Sequence, residues 1–173
     1  MIYTRHYKTP AGELILGSYD NQLCLCDWIQ RKAREQVDKR LQQELNAPYQ
    51  PGSSTVLEQA MAELDMYFER RLRQFNTALL PVGTDFQKRV WQQLLTIPYG
   101  QTASYAELAE KLGNPKVIRA AAAANGANPI AIFIPCHRVI GSDNKLVGYA
   151  GGLQTKQKLL EIEFDLAAQF SLT

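Results

Sequence analysis

The apolar residues change period partway along the chain. That change restricts the fold to a sheet built early and helices packed on or after it. Ile2 to Tyr7 alternates, Leu14-Ile15-Leu16 resumes the pattern, and Leu23 to Trp28 forms a third run. Strands place successive side chains on opposite faces in this way. The residues between the runs, Thr9-Pro10-Ala11-Gly12 and Asp20-Asn21, have turn chemistry. Arg31 to Leu45 is rich in charge and predicts a surface helix, and Asn46 to Ser54, with two prolines and a glycine, predicts a loop. At Thr55 the period becomes helical. Thr55-Val56-Leu57-Glu58 has the form of a capping box, and Leu57, Met61, Leu64 and Phe68 make one apolar stripe. This helix should end near Arg71 to Arg73, and Gln74 to Gly83, containing Pro81 and Gly83, predicts an interdomain link.

The second half carries helix signals in quick succession. Thr84-Asp85-Phe86-Gln87 opens a helix with Phe86, Val90, Trp91 and Leu94 on one face, and Pro98-Tyr99-Gly100 closes it. Ser104-Tyr105-Ala106-Glu107 opens another, running through Leu108 to Leu112. Gly113 stops that helix, Asn114 can cap the next, and Pro115 suits its first turn. The helix from Lys116 to Ala124 is dense in alanine. Two short helices around a Gly-containing turn form a helix-turn-helix candidate. The expected class is α+β: an N-terminal α/β domain with an antiparallel sheet over 1–80, and a mostly α C-terminal domain over 84–173.

Composition excludes several classes. No apolar run approaches the roughly 20 residues of a membrane helix, and Met1-Ile2-Tyr3-Thr4-Arg5 lacks the apolar core of a secretory signal. Three cysteines, with Cys24 and Cys26 one residue apart, make a poor disulfide framework, so a reduced cytoplasmic protein is expected. Cys24, Cys26 and His6 lack a fourth ligand at zinc-site spacing, so no metal and no cofactor are expected. Residues 1–83 carry 10 basic and 10 acidic side chains, and the remainder 9 and 7. Nucleic acid would therefore have to be held by a shaped element, not by bulk charge.

The chemistry-bearing residues cluster late. Ile130-Ala131-Ile132-Phe133-Ile134 reads as a short strand or extended segment buried on both sides, ending at Pro135-Cys136-His137-Arg138-Val139. A thiol reacts as its thiolate and needs a base or positive potential to form it. His137 adjoins Cys136, but neighbours in an extended segment point apart, which favours a relay through water over direct contact. Glu161 or Glu163 of the last predicted helix, Gln154 to Phe164, can orient the imidazole. On composition alone a buried structural cysteine is the favoured reading. The presence of one of only two histidines beside it, and the glycine-rich loop Gly148-Tyr149-Ala150-Gly151-Gly152, point towards reactivity.

The second helix of the candidate pair presents Lys116 and Arg119, followed by Ala120 to Ala124. It lacks the Asn, Gln and Arg array that reads base edges. Small residues instead allow a close, sequence-independent approach to a groove. A single projecting arginine can fill the gap left by an extruded base, as an enzyme acting inside the stack requires.

These motifs together resemble a known family. Pro135-Cys136-His137-Arg138-Val139, with Asn128-Pro129 before it and Gly148-Tyr149-Ala150-Gly151-Gly152-Leu153 after it, is similar to the active-site signature of the O6-alkylguanine-DNA alkyltransferases. The N-terminal half matches in outline, as that family's ribonuclease-H-like domain. The resemblance implies direct-reversal repair: one irreversible transfer of an alkyl group from O6-alkylguanine in double-stranded DNA to Cys136, with base flipping, by a monomer. It implies that His137 acts through water, that Glu163 holds His137, that Asn128 braces the site, and that Tyr105 serves the guanine leaving group. Arg119 would be the intercalating finger, with Lys116 and Ala120 meeting DNA. Tyr149, Ala150, Gly151 and the carbonyls of Cys136 and Val139 would line the base pocket. Ala122 and Ala123 stand where a Gly-containing pair is common, Asn144 stands at a turn position often held by glycine, and the zinc-binding N-terminal cysteines known in some members are missing. Three rivals remain. A lesion sensor would replace the cysteine, a cysteine hydrolase would rarely have nucleophile and base adjacent, and a transcription regulator would carry base-reading side chains.

Overall fold

The computed structural model describes residues 1–164; the end of the predicted C-terminal domain, 165–173, lies outside the described residues. Two compact units result. One comprises Met1–Thr84 with Pro129–Phe133, the other Asp85–Asn128 with the described residues from Ile134 on.

The first unit is built on a four-stranded sheet in the order β3-β2-β1-β4. Strands β1 (Ile2–Thr9), β2 (Gly12–Tyr19) and β3 (Gln22–Trp28) are antiparallel neighbours. The β2–β3 turn has Asp20 at φ 49 and Asn21 at φ 57. Two successive positive φ values match the twist of a two-residue hairpin, and Asp and Asn tolerate them. Within the predicted loop lies a short strand, β4 (Tyr49–Pro51), which pairs parallel to β1. The sheet is thus antiparallel with one parallel edge. Strands β2 and β3 are buried along nearly their whole length, which means cover on both faces. One cover is α1 (Arg34–Glu44), whose Leu41 joins a core cluster with Ile2, Ile15, Cys24, Leu25 and Ala47. Ion pairs from Arg31 and Arg34 to buried Asp27, at 2.9 and 2.7 Å, pin the approach to this charged helix. Helix α2 (Thr55–Phe68) buries Val56, Leu57, Ala60, Leu64 and Tyr67; its cap is Ser54, which accepts from the Leu57 amide at 3.2 Å.

Chain after α2 covers the edge of β3, which would otherwise offer unpaired backbone groups. The Leu23 amide donates to Ala78 O and the Leu80 amide to Leu23 O, each at 2.8 Å. Farther along the same edge, the Cys26 amide donates to Pro129 O and Ala131 donates to Cys26 O. Glu63 of α2 fixes the start of the first of these segments: its carboxylate accepts from the amides of Asn76 and Thr77 and, at 2.6 Å, from the Thr77 hydroxyl. Glu63→Ala removes the acceptor of three donors, two of them on buried Thr77. It is expected to destabilise the protein by about 2–4 kcal/mol, read as a lower urea midpoint at constant m. A midpoint equal to the parent's would refute this role.

The apolar run Ile130 to Ile134 is buried throughout, but it is not a strand. After the bridge at Ile130 the Phe133 amide donates back to Ala131 O at 2.8 Å, with Ile132 between them at φ 72. That is a γ-turn through a conformation β-branched residues rarely adopt.

The second unit contains α3 (Asp85–Leu94), β5 (Ala103–Ser104), α4 (Tyr105–Lys111), α5 (Ile118–Gly126), β6 (Val139–Ile140) and α6 (Leu153–Glu163). Strands β5 and β6 pair in parallel, Ala103 with Val139 and Ser104 with Ile140. Ser104 caps α4, accepting from the Glu107 amide at 3.0 Å. Gly113, at φ 87, ends that helix. Asn114 then caps a 3-10 turn, Pro115–Val117, which leads into α5. Trp91 Nε1 of α3 donates to Ala124 O at 2.9 Å, so α3 holds the far end of α5. Among the described residues no helix is long and apolar enough to cross a membrane.

Candidate active site

Cys136 opens a 3-10 turn, Cys136–Arg138, not an extended segment. Pro135 sets it up: at φ −81 and ψ 63 it makes a second tight turn, in which the Cys136 amide donates to Ile134 O at 2.8 Å. Asn128 Nδ2 donates to the same Ile134 carbonyl at 2.8 Å, bracing the chain just before the cysteine. The turn delivers three consecutive buried side chains, Cys136, His137 and Arg138, in different directions.

His137 and Arg138 converge on Glu163, at the end of α6. His137 Nε2 lies 2.5 Å from Glu163 Oε2, and Arg138 Nε and Nη2 donate to the same carboxylate at 2.7 and 3.2 Å. Arg138 Nη1 also donates to Ile97 O at 2.6 Å. Burial pushes the Glu163 carboxyl up, but the charges and hydrogen bonds of His137 and Arg138 outweigh it and hold the group at about 2. Glu163 is therefore ionised and can only accept. The proton of the short contact must sit on His137 Nε2, which makes Nδ1 the basic nitrogen. That Nδ1 is buried and has no hydrogen-bond partner among the described residues. Glu161, the other sequence candidate, is exposed.

On its other side Cys136 lines a cavity of about 350 Å³, walled also by Tyr105, Ala122, Asn125, Gly126, Val147, Gly148, Tyr149 and Ala150. The volume is of the order that holds a small organic ligand. Small side chains from one face of α5 form one wall, and the loop before α6 forms the other. Tyr105, first residue of α4, donates its hydroxyl to Val147 O at 3.2 Å. Burial raises its pKa, as does negative charge at Cys136, while the nearby Asn125 amide acts to lower it.

The pocket loop is fastened by a residue the sequence reading did not single out as functional. Lys156 of α6 is fully buried, and its Nζ donates to Val139 O at 2.6 Å, Val147 O at 3.1 Å and Gly148 O at 3.3 Å. Three carbonyls match the three ammonium protons. Burial draws this pKa down to about 8, partly offset by negative charge at Cys136, so the clamp is cationic at neutral pH. Asn144 turns the loop at φ 62, its amide donating to Gly141 O. A lysine on the same face as Leu159 and Glu163 was the available signal for the clamp.

The cavity thus unites Cys136, Tyr105, Tyr149 and Ala150. His137, Glu163 and Asn128 stand behind the cysteine. Val139 and Gly151 are buried beside the site but outside the cavity lining. Lys116, Arg119 and Ala120 are exposed on the 3-10 turn and α5. Asn125, Gly126 and Val147 line the cavity without having been expected there. Cys24 is a contrast case: buried in the other unit, its thiol is pushed up to about 12 by burial, partly countered by a backbone hydrogen bond. None of the three cysteines is in a disulfide, and no group of three or more His, Cys, Asp or Glu among the described residues could hold a metal ion.

Comparison with known proteins is consistent across the chain. Residues 2–81 match the model of the 6-O-methylguanine DNA methyltransferase ribonuclease-like domain, and residues 85–164 that of the same family's DNA binding domain. A methylated-DNA–protein-cysteine methyltransferase of Mycobacterium tuberculosis is 55% identical, with 94% of this chain and 93% of the relative covered. One from Mycobacterium leprae is 43% identical over 94% and 93%. The crystal structure of Mycobacterium tuberculosis OGT in complex with DNA superposes with a TM-score of 0.80 at 41% identity, covering 93% of this chain and 92% of that one.

Proposed function

The chain belongs to the 6-O-methylguanine DNA methyltransferase family, and we propose on that footing that it repairs alkylated DNA by moving one alkyl group from guanine O6 to Cys136. The observation that carries this reading is the position of Cys136. It lines the cavity, and its neighbour in the turn, His137, is held in one tautomer by Glu163.

In the proposed reaction the Cys136 proton passes through a water to His137 Nδ1. Glu163 balances the imidazolium that forms, orienting it without taking the proton. The thiolate attacks the alkyl carbon in line, the S–C bond forms, and the C–O6 bond breaks with its electron pair leaving on guanine. Tyr105 gives its proton to the purine and so neutralises the developing charge. The product thioether has no good leaving group, which makes the protein a single-turnover reagent.

To reach O6 the base must leave the stack. We read α4, the turn at Gly113–Asn114 and α5 as a helix-turn-helix within the 84–173 domain. Ala120 allows close approach of α5 to DNA, Lys116 meets a phosphate, and exposed Arg119 fills the space of the flipped nucleotide. Tyr149, Ala150, Gly151 and the carbonyls of Cys136 and Val139 would hold the base. A reducing cytoplasm suits an acceptor that must remain a thiol.

Incubation with a duplex carrying O6-methylguanine labelled at the methyl should place one label per molecule on Cys136, located by peptide mass spectrometry. Binding without transfer, or label released by repeated turnover, would overturn the proposal. Arg119→Ala should slow repair of the duplex by roughly tenfold or more while leaving reaction with free O6-benzylguanine within about twofold, since only the duplex needs extrusion. Equal losses would remove the finger role.

A further inference from the structure

Asn125 is a polar residue closing an alanine run, and its placement is poor for folding alone. It is 4% exposed, its Nδ2 donates to Cys136 O at 3.3 Å, and its Oδ1 is buried without a partner among the described residues. An unsatisfied buried carbonyl opposes folding, and alanine, which precedes it at five positions, would avoid that cost. The side chain instead faces the cavity that Tyr105 and Cys136 also line. The Asn125 amide also acts to lower the Tyr105 hydroxyl pKa, against the larger effects of burial and the Cys136 charge.

We infer that Asn125 is a positioning residue for the leaving-group side of the transfer, its amide N–H supporting the Tyr105 oxygen as that hydroxyl gives up its proton. The inference rests on the proposed function above. In the step, sulfur gains the methyl carbon, O6 loses it, and the C–O electron pair stays on the purine. The Tyr105 proton moves to the purine, and the tyrosyl oxygen, now carrying the negative charge, accepts from Asn125 Nδ2. Solvent returns the proton to Tyr105 after the base departs. The contact to Cys136 O keeps the amide aimed at the cavity. Charge-assisted hydrogen bonds strengthen as charge develops, so the contribution appears in the rate and not in DNA binding.

The test uses Asn125→Leu, of similar volume but without a donor, and Asn125→Ala as a second variant. Each is made alone and in a Tyr105→Phe background. Single-turnover methyl transfer from an O6-methylguanine duplex is measured across DNA concentrations. The limiting rate should fall about tenfold, the worth of one such hydrogen bond, while the half-saturating DNA concentration stays within about twofold. In the Tyr105→Phe background the same substitutions should cost nothing further, because the group they support is gone. Iodomethane, whose iodide leaves without a proton, should methylate Cys136 in parent and variants at equal rates, read at that residue by mass spectrometry. Additive losses in the double variants, or an equal fall with iodomethane, would overturn the inference by showing that Asn125 acts on Cys136 itself. A parent that methylates Cys136 with iodomethane but takes no methyl from the duplex would overturn the proposed function and this inference with it.

Discussion

Cys136→Ser should bind an O6-methylguanine duplex as tightly as the parent, within about threefold, and take no methyl from it. Serine is close to the size of cysteine, and the exposed residues assigned to DNA, Lys116 and Arg119, lie elsewhere on the 3-10 turn and α5. Binding should therefore survive. The hydroxyl is a far weaker nucleophile and too weak an acid for a neutral imidazole to deprotonate, so the transfer rate should fall on the order of 10³-fold or more. The other cysteines cannot substitute. Cys24 is buried with its thiol at about 12, and Cys26 is likewise fully buried in the first unit. Mass spectrometry after prolonged incubation checks this directly, and a methyl on Cys24 or Cys26, or residual transfer near the parental rate, would refute the assignment.

Glu163→Gln should produce the largest loss of stability of any single isosteric change in the second unit. The carboxylate serves two side chains at once, His137 at 2.5 Å and Arg138 at 2.7 Å. Its side chain is fully buried and that of Arg138 is 8% exposed. Glutamine keeps the shape but removes the charge, leaving a buried guanidinium without its counter-ion, which typically costs about 3–5 kcal/mol. For a protein of this size that corresponds to a melting temperature lower by roughly 10 °C. The pH dependence follows from the direction of the shift. The folded group titrates at about 2, below the roughly 4.3 of an unfolded glutamate. Its stabilising contribution is complete above that unfolded value and is lost as pH falls through the folded one. The gap between parent and variant should therefore hold from pH 7 to 5 and close between about 4.3 and 2. A gap that widens on acidification would contradict the pairing. Where the variant is still folded, transfer should slow by roughly 10²–10⁴-fold, since a neutral amide can present either a donor or an acceptor to His137 Nε2 and does not balance the imidazolium.

Much of the architecture was legible because it is locally encoded. Caps such as Ser104 and Asn114, the stop at Gly113 and the turn residues Asp20, Asn21 and Asn144 each act through their own backbone. What escaped depends on distant partners. Strand β4 is three residues that follow one proline and end on another, and it exists because β1 offers a parallel edge. The run from Ile130 to Ile134 has the composition of a strand, yet β3 pairs with only its start, and two tight turns follow. Those turns changed the geometry at Cys136. A 3-10 turn separates successive side chains by less than the half-turn of an extended chain, and it sends Cys136 to the cavity while His137 and Arg138 reach Glu163. In the active site, the acceptor and its histidine could be read from adjacency, and Glu163 from the resemblance. Asn125 was visible as a polar residue closing an alanine run and Lys156 as a lysine on the face of Leu159 and Glu163, but only the cavity gives those positions a purpose.

The two-residue ladder of β5 and β6 has a consequence for how such a molecule can diversify. Tyr105 follows β5 directly, and Cys136 precedes β6 by a single turn, so backbone bonds between Ala103–Ser104 and Val139–Ile140 help set the spacing of donor and acceptor. In the chain between Ala106 and Ala124 the buried Leu108, Ala109 and Ala121 and the cavity-lining Ala122 hold the helices in place. The exposed positions there, Lys116, Arg119 and Ala120 among them, can change to suit a different nucleic-acid shape while the reactive pair keeps its registration.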